Sequence, residues 1–573
     1  GDISHILMQS SEGLSEKKAD RQQVATNAKV ETLLGRALQR TAIDVEELGI
    51  DYMCLDEAHN SKKVFTNVAG EAEEHLGDSS KKTKATTNYT LNAGSPSANA
   101  IKSFVICQYL QRKFGGNVQL LTATPFTNSP LEIYSMLAMV SHQELVKQNL
   151  TNLSIFFDNF LEISYEMVIN AKMKPQRKQV ILGYNNLIVL QDIIRRFISY
   201  KTGEQVGVKR PNKVVIPLRT ELVDGVKMQL PENKQVDSIL PMSPLQIELM
   251  DRVKDYAAGG ADIACEETSV GDSEDEETSE EVDISSDAMD KNEKAGVRVL
   301  KSISWARNLA LSPYLFDCAG LGHPSSDQYI ETSNKLLYTM ECVKSIKQHH
   351  EKTKTKMSGV VIYMDRGVKF FPLIREYLIK KIGFNENEVG IISAKDKVPT
   401  AKGVKDIDKK EYVKNLFLGK KFNNATLELE RVPDEQRVKV LIGSSTIKEG
   451  INLQEYSSTL FNLFLPWNIT DIQQLEGRIY RQKNAFANVR IVNPLMIDSI
   501  DIFMFQKLEE KASRINTIWE SDGRTNVLKT EDFNPKDLKY RLIKDARIIA
   551  DMEVLEAEET LEEVIADTKN RIA

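Results

Sequence analysis

From Gly359 onward the chain alternates short apolar runs with longer amphipathic stretches: GVVIYM, FPLIREYLIKKIG, EVGIIS, VKVLIGSS and TLFNLFLP. That alternation predicts a parallel sheet covered by helices, an α/β fold. Upstream, about fifty helix-forming residues precede a first strand at Tyr52–Leu55. Residues 66–98, rich in Gly, Ser, Thr and Asn, read as a long loop, followed by a helix over 98–113 and a strand at Val118–Leu121. Residues 141–200 read as helical, with apolar positions at helical spacing in NLIVLQDIIRRFISY, whereas KVVIPLR at 213–219 has the β-branched content of a strand. Past about residue 294 helices resume and run to about residue 350. Beyond Ile500, Phe505, Leu508, Ala512, Ile515 and Trp519 share one helical face, which predicts a C-terminal helical extension. There is no repeat of solenoid type.

Composition adds scale and setting. The 573 residues, 41% hydrophobic and 27% charged, suffice for roughly three packed domains. No apolar run is long enough to span a bilayer, and GDISHILMQSSEG is not a signal peptide, so the reading is a soluble, intracellular protein with no membrane partner. Cys54, Cys107, Cys265, Cys318 and Cys342 are scattered, with no Cys-x-x-Cys pair, and read as reduced, mostly buried thiols.

The net charge of −7 argues against a nucleic-acid partner until it is located. Residues 262–294 hold fourteen acidic and two basic side chains, a contribution of −12, so the rest of the chain carries +5. Such a segment cannot bury enough apolar surface to fold alone, and 260–294 is expected to be a disordered acidic loop. It is either a solvated linker or a nucleic-acid mimic that occupies a basic cleft.

Four motifs carry chemistry. In LDEAHN, Asp56 and Glu57 follow a strand, where an open parallel sheet presents ligand-binding residues. Phosphoryl transfer needs such a pair: one carboxylate to hold Mg²⁺, directly or through water, and one to orient the attacking water. His59 is placed to connect this site with other parts of the molecule. Alone, four letters also fit an acidic strand end in an unrelated α/β protein. In VQLLTATP, Thr122 and Thr124 again follow a strand, with hydroxyls able to bond the first motif and relay nucleotide state. VLIGSSTIKEGINLQ supplies Gly450, Asn452 and Gln454, where a glycine permits close backbone approach and polar side chains reach nucleotide or phosphate. DIQQLEGRIYRQ places Gln474, Arg478 and Arg481 at spacings of four and three, on one face of an expected helix. An arginine aimed at the γ-phosphate from a second domain stabilises transition-state charge, and its loss costs about 10³ to 10⁵ in rate.

In this order, DEAH, TATP, GINLQ and QLEGRIYRQ resemble motifs II, III, V and VI of helicase superfamily two, especially the Swi/Snf-type translocases. The longer strings ELGIDYMCLDEAHNSKKVFTNVAG, TATPFTNSPLEIYSM and LPWNITDIQQLEGRIYRQKN are similar to Swi/Snf-like helicase regions of large phage and mobile-element proteins. The resemblance covers most of 40–140 and 355–520. It implies two RecA-like lobes that close on ATP and Mg²⁺ while gripping nucleic acid, expected to be double-stranded DNA. The division expected is a partial first lobe over 1–140, a helical insertion or linker over 141–350, a second lobe over 351–500 and C-terminal helices over 501–573. By the same analogy Asp56 is the metal residue and Glu57 the water residue. His59, Thr122, Thr124 and Gln474 are coupling residues, Gly450, Asn452 and Gln454 lie near ATP and DNA, and Arg478 and Arg481 are arginine-finger candidates. The setting implied is the host-cell cytoplasm or the virion.

One part departs from the family. A phosphate-binding loop reads G-x-x-x-x-G-K-[ST], yet the only Gly-Lys dipeptide here, Gly419-Lys420, lacks the first glycine and is followed by Lys421. The expectation is therefore a fragment whose first lobe is N-terminally incomplete, completed by an upstream segment of the polypeptide or another chain. The alternative is a catalytically silent nucleic-acid-binding or structural module of a phage or mobile-element assembly.

Overall fold

The computed structural model describes residues 49–74, 86–93, 96–126, 129–169, 175–201, 206–218, 220–223, 226–257, 261–263, 291–392, 397–398, 407–423, 428–448, 451–466 and 469–501, with isolated positions beyond. The N-terminal stretch read as helix-forming, most of the acidic segment, Gly450, and Phe505, Ala512, Ile515 and Trp519 lie outside the described residues.

The first half is built on two parallel strands, β1 (Met53–Leu55) and β4 (Val118–Leu120), paired Met53 to Val118 through Leu55 to Leu120. Between them, the stretch read as a loop forms an antiparallel hairpin, β2 (Asn67–Glu74) and β3 (Thr86–Asn92). A second correction follows. The stretch 141–200 is not wholly helical: helices Leu131–Lys147 and Leu153–Phe160 lead into the hairpin of β5 (Leu161–Ile169) and β6 (Pro175–Tyr184), and only then into helix Leu187–Phe197. β2 and β5 pair in parallel, which joins the hairpins into one four-stranded sheet. Its core contains edge-to-face contacts of Phe65 with Phe104 and Tyr134, and of Phe156 with Tyr134 and Phe160, at centroid distances of 5.0–5.6 Å. Each such pair adds about 0.5–1.5 kcal/mol beyond area burial.

The second half is dominated by a six-stranded, all-parallel sheet. β7 is Asn212–Ile216, and the hairpin of β8 (Thr220–Val223) with β9 (Val226–Gln229) and the short β10 (Ile239–Leu240) follow it. The strands read from the alternating region are β11 (Gly359–Tyr363), β12 (Val389–Ile392), β17 (Val440–Gly443) and β18 (Ser457–Asn462), and the sheet adds β19 (Asn488–Val492), which the sequence reading missed. Two small hairpins, β13 (Lys397–Val398) with β14 (Ile407–Asp408) and β15 (Lys420–Phe422) with β16 (Leu429–Arg431), precede β17, and β20 (Leu495–Met496) pairs with β10. The order is β12-β17-β11-β18-β19-β7. The sixth strand comes from KVVIPLR, in the segment read as linker, and pairs with β19 from Asn212–Asn488 to Ile216–Val492.

Side chains alternate between two cores. Val360, Ile362, Val440, Ile442, Phe461 and Val492 face helices Asn334–Thr353 and Phe371–Lys380. Val361, Leu441, Leu460, Val489 and Ile491 face Phe417, Leu475 and Ile479. Burial on both faces is why the strands read as continuous apolar runs. Gly359 is required by close packing, since a Cβ there would lie 2.6 Å from Phe417 and 3.1 Å from the Tyr456 carbonyl.

A third core joins helix Pro244–Ala257 to helix Lys291–Leu311, which bracket the acidic segment, and to Leu495, Met496, Ile500, Met504 and Leu508. The helix starts at Lys291, inside the stretch read as disordered. Cys107 is a buried free thiol, Cys54 an exposed one and Cys342 a partly buried one, whereas Cys318 is disulfide-bonded, which corrects the reading of reduced, mostly buried thiols. No helix among the described residues is long and apolar enough to cross a membrane.

Candidate functional site

The first motif sits where β1 ends. Leu121 N donates to Leu55 O at 2.9 Å and Ala58 N to Leu121 O at 3.0 Å, so the backbone of DEAH is stitched to the strand that leads into TATP. Asp56 accepts the Glu57 amide at 2.9 Å, and Glu57 adopts φ 49° and ψ 46°, the left-handed region that few non-glycine residues enter. The turn starts the short 3₁₀ helix Ala58–Ser61 and leaves the Glu57 side chain 62% exposed. Both carboxylates are open to solvent at the carboxyl edge of the two-stranded sheet.

His59 links the motifs. Its Nδ1 lies 3.2 Å from both Glu57 Oε2 and Thr122 Oγ1, and Gln474 Nε2 donates to its Nε2 at 3.4 Å. With the Gln474 amide nitrogen as donor, His59 Nε2 accepts and Nδ1 faces the carboxylate and the threonine. Thr122 Oγ1 also accepts the Thr124 amide at 3.1 Å, while Thr124 Oγ1 is buried without a hydrogen-bond partner. Residues 415 positions apart in sequence thereby meet in one cluster.

The other motif residues form a second cluster. Arg478 Nη1 donates to Ile451 O at 3.1 Å, Leu453 N donates to Arg478 O at 3.3 Å, and Arg481 bonds the Asn452 side chain. Gln454 Oε1 is buried without a partner. The structure corrects the single-helix reading here: the helix spans Ile469–Glu476 and ends before Gly477, so Arg478 and Arg481 lie on the turns that follow. Glycine is a poor helix former, and a Cβ at 477 would lie 3.1 Å from the Gln473 carbonyl. Gln474 remains on the helix and reaches the first motif.

Several supporting residues escaped the sequence reading. Lys62 pairs with Glu132 at 3.2 Å, both about one-tenth exposed, tying the turn after DEAH to the helix after TATP. Lys213 pairs with Glu476 at 2.8 Å. The only sequence signal for either was a charge beside a motif. Their partners lie far along the chain.

The six-stranded parallel sheet carries helices on both faces and motif segments after β17 and β18 at its carboxyl edge, which makes this an α/β fold. In sequence, the chain is distantly similar to "Defense against restriction protein B" of Escherichia phage P1, 23% identical over 546 residues. That match takes in 83% of this chain and 23% of the phage protein, so the chain spans less than a quarter of that relative. Among solved structures it is similar to the Sulfolobus solfataricus SWI2/SNF2 ATPase core domain, with 15% identity, a TM-score of 0.31 and coverage of 59% of this chain and 51% of the other. It is also similar to the C-terminal part of the Fun30 ATPase domain, with 13% identity, a TM-score of 0.23 and coverage of 45% and 65%. No protein-family model matches the chain.

Proposed function

We propose that this chain is the greater part of an ATP-dependent motor that acts on nucleic acid, in particular double-stranded DNA, within a phage or mobile-element protein working in host-cell cytoplasm or from the virion. The observation that carries the reading is the His59–Gln474 contact, which joins the carboxylate motif of one half to the arginine motif of the other. On this reading the halves are two RecA-like lobes, and the contact lets the arginine segment sense the carboxylate site.

The donor set fits a nucleotide-borne magnesium. Among the described residues no group of three or more His, Cys, Asp or Glu side chains could cage a metal. Mg²⁺ bound with a nucleotide needs only one or two carboxylates, because phosphates and waters fill its other positions. Asp56 would hold the ion, and bound Mg²⁺ would neutralise charge on the β- and γ-phosphates. Glu57, kept exposed by its left-handed backbone, orients and polarises water. His59 holds Glu57 and Thr122 in fixed relation. Arg478 and Arg481 would supply positive charge from the second lobe, with Asn452 and Gln454 toward nucleotide and DNA; the same role is proposed for Gly450 from the motif alone. The sequence contains no G-x-x-x-x-G-K-[ST] loop, so we infer that the phosphate cradle comes from residues outside it.

The test is ATP turnover with and without duplex DNA, for this chain and for a form extended upstream. The extended form is expected to show DNA-stimulated hydrolysis that Glu57→Gln abolishes and Arg478→Ala lowers by about 10³-fold or more. This chain alone is expected to turn over little or no ATP. Absence of stimulated hydrolysis in the extended form, or unchanged hydrolysis in Glu57→Gln, would favour a catalytically silent binding or structural module.

A further inference from the structure

Glu476 closes the helix Ile469–Glu476, an unfavourable place for a carboxylate because the negative end of the helix dipole lies there. It is only 8% exposed, so burial adds a cost that a nearby cation must offset. That cation is Lys213, whose Nζ lies 2.8 Å from Glu476 Oε2. The Lys213 ammonium and the Arg210 guanidinium each sit 5.3 Å from the centroid of the Tyr480 ring. Arg210 lies in the segment that leads from helix Leu187–Phe197, packed in the first core, into β7, and Lys213 is the second residue of β7. They therefore hold the two ends of the turn that carries Arg478: Glu476 before it and Tyr480 after it.

We propose that Lys213, aided by Arg210, is a positioning residue for the arginine segment, so that the chain joining the two halves sets where Arg478 and Arg481 are presented. This rests on reading those arginines as the second lobe's contribution to hydrolysis. The turn is shaped by Gly477 N donating to Gln473 O at 2.9 Å and Tyr480 N to Glu476 O at 2.8 Å. Without Lys213, the Glu476 carboxylate must move toward water to be solvated, and the backbone of that turn moves with it. The arginines would then lose their register on Ile451 and Asn452.

Amide hydrogen exchange on this chain tests the placement without relying on turnover. In Lys213→Gln, the amides of Gly477 and Tyr480 are expected to exchange about tenfold faster, with β11 and β17 unchanged. The charge swap Lys213→Glu with Glu476→Lys is expected to restore slow exchange, since a lysine suits the helix C-terminus. Unchanged exchange at 477–480, or exchange that quickens throughout the six-stranded sheet, overturns the proposal. So does a charge swap that exchanges as fast as Lys213→Gln. In the extended, hydrolysing form, Lys213→Gln is expected to lower kcat about tenfold with KM for ATP within about twofold, and an unchanged kcat overturns the proposal. If the extended wild type hydrolyses no ATP, the motor reading fails while exchange still decides the placement.

Discussion

Glu57 and Asp158 show how single residues depart from what their letters suggest. DEAH was legible as a motif, but not that Glu57 takes a left-handed backbone to turn its carboxylate outward, because that conformation comes from the stitching of Ala58 to Leu121. The roles given to Asp56 and Glu57 remain proposals, tested by turnover. Asp158 carried no motif. Its Oδ1 accepts the Tyr89 hydroxyl at 2.8 Å and the Glu71 amide at 3.0 Å, yet burial holds the carboxyl above its ordinary range despite these donors. A raised acid pKa means that the folded state binds the proton more tightly than the unfolded chain. The stabilisation is therefore complete below about pH 3.9, the ordinary carboxylate value, and is lost as pH rises through the raised value. Asp158→Asn keeps the acceptor and removes the titration. Its stability at neutral pH is expected to equal or exceed that of the parent, with the advantage vanishing in acid, as read by urea unfolding across a pH series. A parent that gains on the variant as pH rises would contradict this account.

At the scale of elements, legibility followed burial symmetry. β11, β12, β17 and β18 were readable because strands buried on both faces are apolar without interruption. β2 and β3 were not, because NVAGEAEE carries little strand preference, and the Thr and Tyr residues of TTNYTLN are interrupted by Asn in a stretch rich in Gly, Ser and Asn. Their structure comes from pairing with each other and from packing of Val68, Ala72 and Tyr89 in the first core. β5 was absorbed into a helical reading because it follows Phe160, the last residue of a helix, without a turn. The arginine motif was read one helical turn too far, past Gly477. The central strand permits a direct test: Ile362 is fully buried between β17 and β18. Ile362→Ala is expected to cost about 2–5 kcal/mol, seen as a lower urea midpoint at unchanged slope. A loss under about 1 kcal/mol would mean that this core is looser than its burial indicates.

For the whole molecule, the charge distribution bears on partners. With −12 concentrated in 262–294 and +5 elsewhere, nucleic-acid binding would have to come from basic groups outside that segment. If phosphate contacts supply most of the affinity, binding to duplex DNA is expected to fall about 10³- to 10⁵-fold between 50 and 200 mM salt for some six to ten contacts. A fluorescence titration that shows a flat salt response would point to a protein partner instead. The sequence by itself determined the α/β class, four of the six strands of the second sheet and the order of the four motifs. These depend on local periodicity and on short strings whose chemistry is written in adjacent residues. Tertiary structure alone decided that KVVIPLR completes the six-stranded sheet, that Lys213 meets Glu476, and that His59 meets Gln474. Those pairings join residues hundreds of positions apart, and no local pattern encodes a partner at that distance. They form only when the sheet and its covering helices close around a shared core.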